Sequence, residues 1–344
     1  MSEGLEDPFI SPFVFIVPIL ALASIFAFAK IVQLVIKAVT AWKPQSKAHA
    51  ALAKKFVLPK KDMLESVSAL KTCQRHFVAH GWTEHDLAII KEHRERVVSY
   101  LTLRVQEASH HREQIRIMRC CMGMDVLHDF KTLYEATMKN IRGKEPAGCA
   151  SLLLAANKLK DTTTKCPRNP SGLLDLYESG RTAYNLYHAF IAKATIASAT
   201  AHVYKSHGGT PGMKGIYRVL EKGVFKYNLE STEDLDFSQV RDLVRGGIID
   251  NTMEGLAAVA NYFYESNEVT VCRVKDRFAE PSPAGWTDLM INFYLNDDPG
   301  KHVCEVQLMH FKMYSQRTTQ EGHGAYDIYR VLSRNDLTFT TILP

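Results

Sequence analysis

A chain of 344 residues with 46% hydrophobic and 23% charged residues is too apolar for intrinsic disorder and long enough for one ordinary domain with accessory helices. Its net charge of +5 permits contact with phosphates or an anionic membrane face without requiring either. The seven cysteines are odd in number and scattered, with no CxxC pair, which argues against a disulfide framework or a structural zinc and for a reducing compartment.

From Pro8 to Ala29 the chain carries no charge. As a helix this run would be roughly 33 Å long, about the thickness of a bilayer core, and Pro18 within it is tolerable in lipid. Glu3, Glu6 and Asp7 precede it, whereas Lys30, Lys37, Lys43, Lys47, Lys54 and Lys55 follow. The positive-inside bias then turns the C-terminal bulk toward the cytosol or an equivalent reducing interior, as in a single-pass membrane protein. The next stretch, through Trp42, reads as an amphipathic helix at the interface, so that residues 1–43 form the anchor and 44–61, with Pro44 and Pro59, a basic linker. Two other readings compete. Ala27-Phe28-Ala29 has the look of a cleavage site, although an acidic start is wrong for a signal peptide. A buried core helix is the third.

Residues 62–170 read as helical. Thr83 and Asp86, just after Gly81, make a capping box that opens a long segment, with Leu87, Ile90, Val97, Leu101 and Val105 at helical spacing. Gly143 and Pro146 interrupt. The dipeptides His85-Asp86 and His128-Asp129 lack the further ligands of a metal-dependent phosphohydrolase and read, like His110-His111, as solvated helix. A further helix follows Ser171, with Leu173, Tyr177, Tyr184, Tyr187 and Ile191 on one stripe, and is expected to end near His207-Gly208-Gly209.

The pattern changes after residue 240. A short apolar strand, VRGGII, precedes a helix capped through Asn251 and Glu254. Strands at 269–274, 289–295 and 302–308 follow, the last two joined by the turn NDDPG, and a final helix starts near His310. The expected class is α+β: a small mixed sheet flanked by helices, preceded by the helical region and the transmembrane helix, with the sheet domain over 171–344.

Alternation in HVCEVQL puts Cys304, Val306 and Leu308 on one face and Glu305 and Gln307 on the other, a working face or a merely solvated one. Asp242 opens the first strand of this reading. Two carboxylates on separate strands suit Mg²⁺ (or Mn²⁺), which takes one or two carboxylates plus substrate phosphates. Arg241, Arg245 and Arg218 could neutralise a polyphosphate, or else serve in caps and surface ion pairs. Lys275 and Arg277 add positive charge, and Trp286, after Pro281, Pro283 and Gly285, either stacks on a base or simply packs.

In this order the pieces resemble the synthetase domain of the RelA/SpoT family, the alarmone (p)ppGpp synthetases. The resemblance rests on Asp242-Leu243, then Lys275-Asp276 with the Pro-rich loop and Gly285-Trp286, then Glu305-Val306-Gln307, with Lys214, Tyr217 and Arg218 upstream, and covers about residues 175–330. It implies a nucleotidyltransferase-like fold and pyrophosphate transfer from ATP to the ribose 3′-hydroxyl of GDP or GTP. Asp242 and Glu305 would hold Mg²⁺, with Glu305 assisting deprotonation. Trp286 would stand for the family's base-stacking Tyr, Gln307 would support the site, and Lys214 and Arg218 would face the ATP phosphates. Three of the family's polar positions fall here on Gly247, Met290 and Met309, with Arg245 near the first. Retained carboxylates with altered cations leave two alternatives open: an inactive nucleotide-sensing module, or an enzyme of this fold acting on RNA, to which the basic linker would be drawn.

Overall fold

The computed structural model describes residues 61–110, 131–204, 213–227, 235–283 and 285–319, all within the compact unit Ala53–Pro344. The apolar run 8–29, the interfacial helix and the linker up to residue 60 lie outside the described residues, as do the side chains of His110-His111, His128-Asp129 and His207-Gly208-Gly209; Lys61, the linker's expected last residue, already opens a helix. Among the described residues no helix is long and apolar enough to cross a membrane.

Helix α1 (Lys61–His80) buries Leu70, Cys73 and Phe77 on one face. It stops where Gly81, at φ +84°, donates its N–H to the Phe77 carbonyl (2.8 Å), a left-handed C-terminal cap that a side chain would strain. Helix α2 (Glu84–His110) begins at once. The Thr83 hydroxyl accepts from Asp86 N–H (3.2 Å) and Asp86 accepts from Thr83 N–H (3.0 Å), the reciprocal box that the sequence suggests. Asp86 is thereby buried rather than solvated, with His76 Nδ1 also 2.7 Å away. Ile90, Val97 and Leu101 are buried as expected, whereas Leu87 stays exposed.

A helix over 131–144 (α3) and α4 (Pro146–Asp161) are separated only at Glu145. Helix α5 (Leu173–Ile196) buries Leu173, Tyr177, Tyr187 and Ile191. It ends earlier than the sequence suggests. Ser198 and Thr200 donate their hydroxyls to Asp250 (2.6 and 2.8 Å), and the turn they fix returns the chain as a short strand, β1 (His202–Tyr204).

After α6 (Ile216–Tyr227) come β2 (Arg245–Asp250), α7 (Met253–Glu265), β3 (Val269–Asp276), β4 (Leu289–Leu295), β5 (Cys304–His310) and α8 (Phe311–Thr319). Asp242 therefore lies in the segment ahead of β2, not on the strand. The N-cap of α7 is Thr252, whose side chain accepts from Gly255 N–H, in place of Asn251. The five strands form one mixed sheet in the order β1-β2-β5-β4-β3, and only β2 and β5 run parallel.

Register fixes which residues share a face. Gly246, Val306, Ile291 and Val274 form one cross-strand row, and α5 and α7 cover that side: Tyr187 stacks on Phe293 (5.8 Å between centroids), and Phe190 and Phe263 pack on it too. A Cβ on Gly246 would come within 2.8 Å of the Tyr187 hydroxyl, so glycine is what lets α5 lie this close. The opposite face carries Arg245, Glu305, Asn292 and Arg273 in one row and Gly247, Gln307, Met290 and Lys275 in the next. The expected division of β5 holds.

Fully buried His302 gives the fold a pH dependence. Its Nδ1 lies 3.0 Å from Ser179 Oγ and its Nε2 meets no partner among the described residues, so burial lowers its pKa from 6.5 to about 4. The native state then resists a proton that the unfolded chain accepts. Stability present above pH 6.5 is lost as pH falls toward 4, by about 3 kcal/mol from this residue. His188 and His310 are lowered by burial as well and add in the same direction. Denaturant titrations at stepped pH should show this slope, reduced in His302→Gln. An unchanged slope would place the acid sensitivity elsewhere.

Candidate functional site

The polar face of the sheet ends, beside β2, at a buried ion cluster. Asp242 Oδ2 receives Lys214 Nζ at 2.5 Å, Oδ1 receives Lys222 Nζ at 2.7 Å, and Arg245 Nη1 lies 4.0 Å from Oδ2. Both lysines and the carboxylate are largely out of water, with side-chain exposures of 7%, 14% and 15%. Opposed only by burial, these three cations hold the Asp242 pKa far below the ordinary carboxylate range. Burial, reinforced by the neighbouring Lys222 and Arg245, pulls Lys214 down to about 8 despite its partner.

Long-range contacts place Lys214. Its N–H donates to the Leu243 carbonyl (2.8 Å), its carbonyl accepts from the Tyr177 hydroxyl (2.5 Å), and Met213 bridges to Val244. Gln74, buried in α1, donates to the Lys214 carbonyl (3.3 Å) and accepts from Ile216 N–H (3.0 Å). Helix α1 thus helps to aim the site lysine, and α6 delivers Lys222 from the other side.

Glu305 joins through the parallel pair, opposite Arg245, with its N–H on the Val244 carbonyl (3.0 Å). Its pKa is raised, first by burial and then by the Asp242 charge, while Arg245, Lys222 and Lys214 oppose the rise. Gln307 donates its amide to Glu305 Oε1 (3.2 Å). Lys275, two strands away on the same face, feels the Glu305 charge; burial and then Arg273 and Arg277 lower its pKa.

Asp242, Lys214, Arg245, Glu305, Gln307 and Lys275 therefore share one face or its margin. Two expected residues are engaged otherwise. Arg218 is bonded to Glu221 on its own helix (2.8 Å). Trp286 has Arg317 over its ring (5.1 Å to the centroid) and Tyr134 at its edge (5.5 Å), and its Nε1 donates to Asp288 (3.1 Å). A base stacking on the Arg317 side would have to displace that guanidinium. Lys222 was not singled out in the sequence; its signal is its place four residues after Arg218, on the same helical face.

No group of three or more His, Cys, Asp or Glu among the described residues could hold a metal. Two carboxylates, one raised by burial and then by the charge of the other, fit Mg²⁺ together with phosphate: a substrate would supply the remaining oxygens, and its charge would draw the lysines away from Asp242.

No protein-family model matches this chain, and neither does any curated protein sequence. Among solved structures, small alarmone synthetase 1 from Bacillus subtilis bound to its product pppGpp matches with 11% identity and a TM-score of 0.32 over 46% of this chain and 88% of that one. Small alarmone synthetase 2 from the same organism matches with 14% identity and a TM-score of 0.31 over 46% and 89%. A GTP pyrophosphokinase family protein from Streptococcus pneumoniae matches with 10% identity and a TM-score of 0.27 over 46% and 84%.

Removing the central carboxylate leaves two buried ammonium groups facing each other. Asp242→Asn should cost about 3–5 kcal/mol of unfolding free energy. Denaturant unfolding of the full chain measures this; a loss under about 1 kcal/mol would mean that the cluster is solvated.

Proposed function

We propose that this chain is a Mg²⁺-dependent enzyme of the pyrophosphokinase type, transferring a pyrophosphoryl or nucleotidyl group from ATP to a second nucleotide, of which GDP and GTP are the leading candidates. The observation that carries this reading is that Glu305, paired with Arg245 across the sheet, lies within the field of Asp242, which itself is bound by Lys214 and Lys222. Phosphoryl chemistry asks a protein mainly for positioning and charge neutralisation, and this face offers both. Asp242 and Glu305 would hold Mg²⁺, which would supply further neutralisation of the phosphates. Lys214, Lys222 and Arg245 bind phosphate oxygens. Glu305 would assist removal of the proton of the attacking hydroxyl as the new O–P bond forms and the donor's bridging bond breaks. Residues 8–29 tether this domain to a membrane with its bulk on the reducing side.

A second reading is favoured by one specific observation. Both Asp242 oxygens already carry a lysine. A site that stays so neutralised binds nucleotide phosphates without turnover, as a sensor.

The test is turnover by the full chain in mild detergent, with labelled ATP, Mg²⁺ or Mn²⁺ and a panel of GDP, GTP, other nucleotides and tRNA. Glu305→Gln is the better control, because Asp242→Asn perturbs folding. The expected result is a labelled product whose formation falls about 100-fold or more in Glu305→Gln. Equal turnover in the variant would remove Glu305 from the chemistry. Nucleotide binding with no product would establish the sensor, and label on tRNA alone would move the acceptor to RNA.

A further inference from the structure

Two thiols meet at the outer edge of the sheet, in an arrangement that stands independently of the proposed reaction. Cys166 lies half-buried in the segment between α4 and α5, and Cys272 is buried on β3, the edge strand. Their sulfurs are 2.6 Å apart although the residues are 106 positions apart in the chain. The backbone enforces the meeting. Thr164 N–H donates to the Val271 carbonyl (3.1 Å), pinning the segment along β3. In β3, Val271 faces Phe293 and Arg273 faces Asn292, so Cys272 is the extra residue of a bulge. Bulges re-aim a side chain out of the ladder, and this one meets Cys166. Arg241 and Arg273 both act on Cys166.

We propose that Cys166 and Cys272 form a reversible dithiol–disulfide modification site whose oxidant is a low-molecular-weight disulfide of the glutathione class. Cys166 as thiolate attacks one sulfur of the oxidant, forming a mixed disulfide and expelling one thiolate. Cys272 then gives up its proton to solvent, and its sulfur attacks Cys166 Sγ, expelling the second thiolate. Two protein thiols are oxidised and one small disulfide is reduced to two thiols. The roles follow from position. Cys166 is the more exposed, and the Cys272 hydrogen bond, with Arg241 and Arg273 and against burial, lowers its pKa to about 7. Cys272 is raised and serves as the resolving thiol. A disulfide that comes and goes is the kind a reducing compartment tolerates.

The bond would clamp the segment ahead of α5 to β3 and remove a thiolate from beside Arg241. The Arg241 carbonyl accepts from Asn292 on the polar face (3.3 Å), and its next residue is Asp242. Oxidation therefore reaches the margin of the ion cluster.

The test exposes the reduced full chain, in mild detergent, to graded oxidised glutathione, blocks free thiols and maps peptides by mass spectrometry. A Cys166–Cys272 linked peptide should form first and be reversed by dithiothreitol, while Cys73, Cys149 and Cys304 stay blockable after unfolding. Cys272→Ser should trap Cys166 as a mixed disulfide with glutathione, and Cys166→Ser should leave Cys272 unmodified. The oxidised wild type should melt about 5 °C or more above the reduced form. Persistence of both thiols under conditions that oxidise other cysteines would overturn the proposal. So would Cys166 linked to a different partner, or a Cys272→Ser chain that forms no mixed disulfide. The wild-type peptide map decides the matter even if a serine variant fails to fold.

Discussion

Everything near the site depends on a buried carboxylate shared between two lysines. An isolated ammonium inside a protein is costly, and two that approach the same place are worse. Asp242 is what makes the pair tolerable. The requirement reaches outward into the fold. Lys214 is held by a β-bridge beside it and, at its backbone carbonyl, by Tyr177 from α5 and Gln74 from α1, so three parts of the chain converge on the backbone of one residue. The helices ahead of the sheet, which the sequence leaves without a role, are part of the scaffold that aims it.

The parallel pairing of β2 with β5 supplies the second half of the arrangement. It brings Glu305 to Arg245 and within the field of Asp242, and it sets the polar rows of the sheet on the side opposite to α5 and α7. Two carboxylates in mutual repulsion, surrounded by cations that one of them already occupies, make a site with two electrostatic solutions. In one, the lysines stay on Asp242. In the other, the one the proposed function requires, phosphate oxygens would take the lysines, and the carboxylates, relieved of those partners, would accept a divalent cation. Both solutions use the same residues, which is why binding and turnover have to be measured separately.

Much of the fold was legible because it is local. The period-two pattern of β5 and the Thr83–Asp86 box are set by neighbours in sequence, and they appear as expected. The strand β1 was not legible. Three residues carry too little pattern, and what ends α5 is a pair of hydroxyls reaching Asp250, about fifty positions away. The site divides the same way. Glu305 and Gln307 follow from alternation, whereas the grip of Lys222 on Asp242 and of Gln74 on Lys214 depends on packing between distant elements. The ring of Trp286 was visible in the sequence, but its engagement by Tyr134 and Arg317, from α3 and α8, was not.

The most direct measurement is a structure of the full chain with Mg²⁺ and a non-hydrolysable ATP analogue. Phosphate oxygens should lie within hydrogen-bonding distance of Lys214 and Lys222 Nζ, with the metal between those phosphates and the carboxylates of Asp242 and Glu305. A nucleotide bound away from this face, with both lysines still on Asp242, would contradict the assignment of the site.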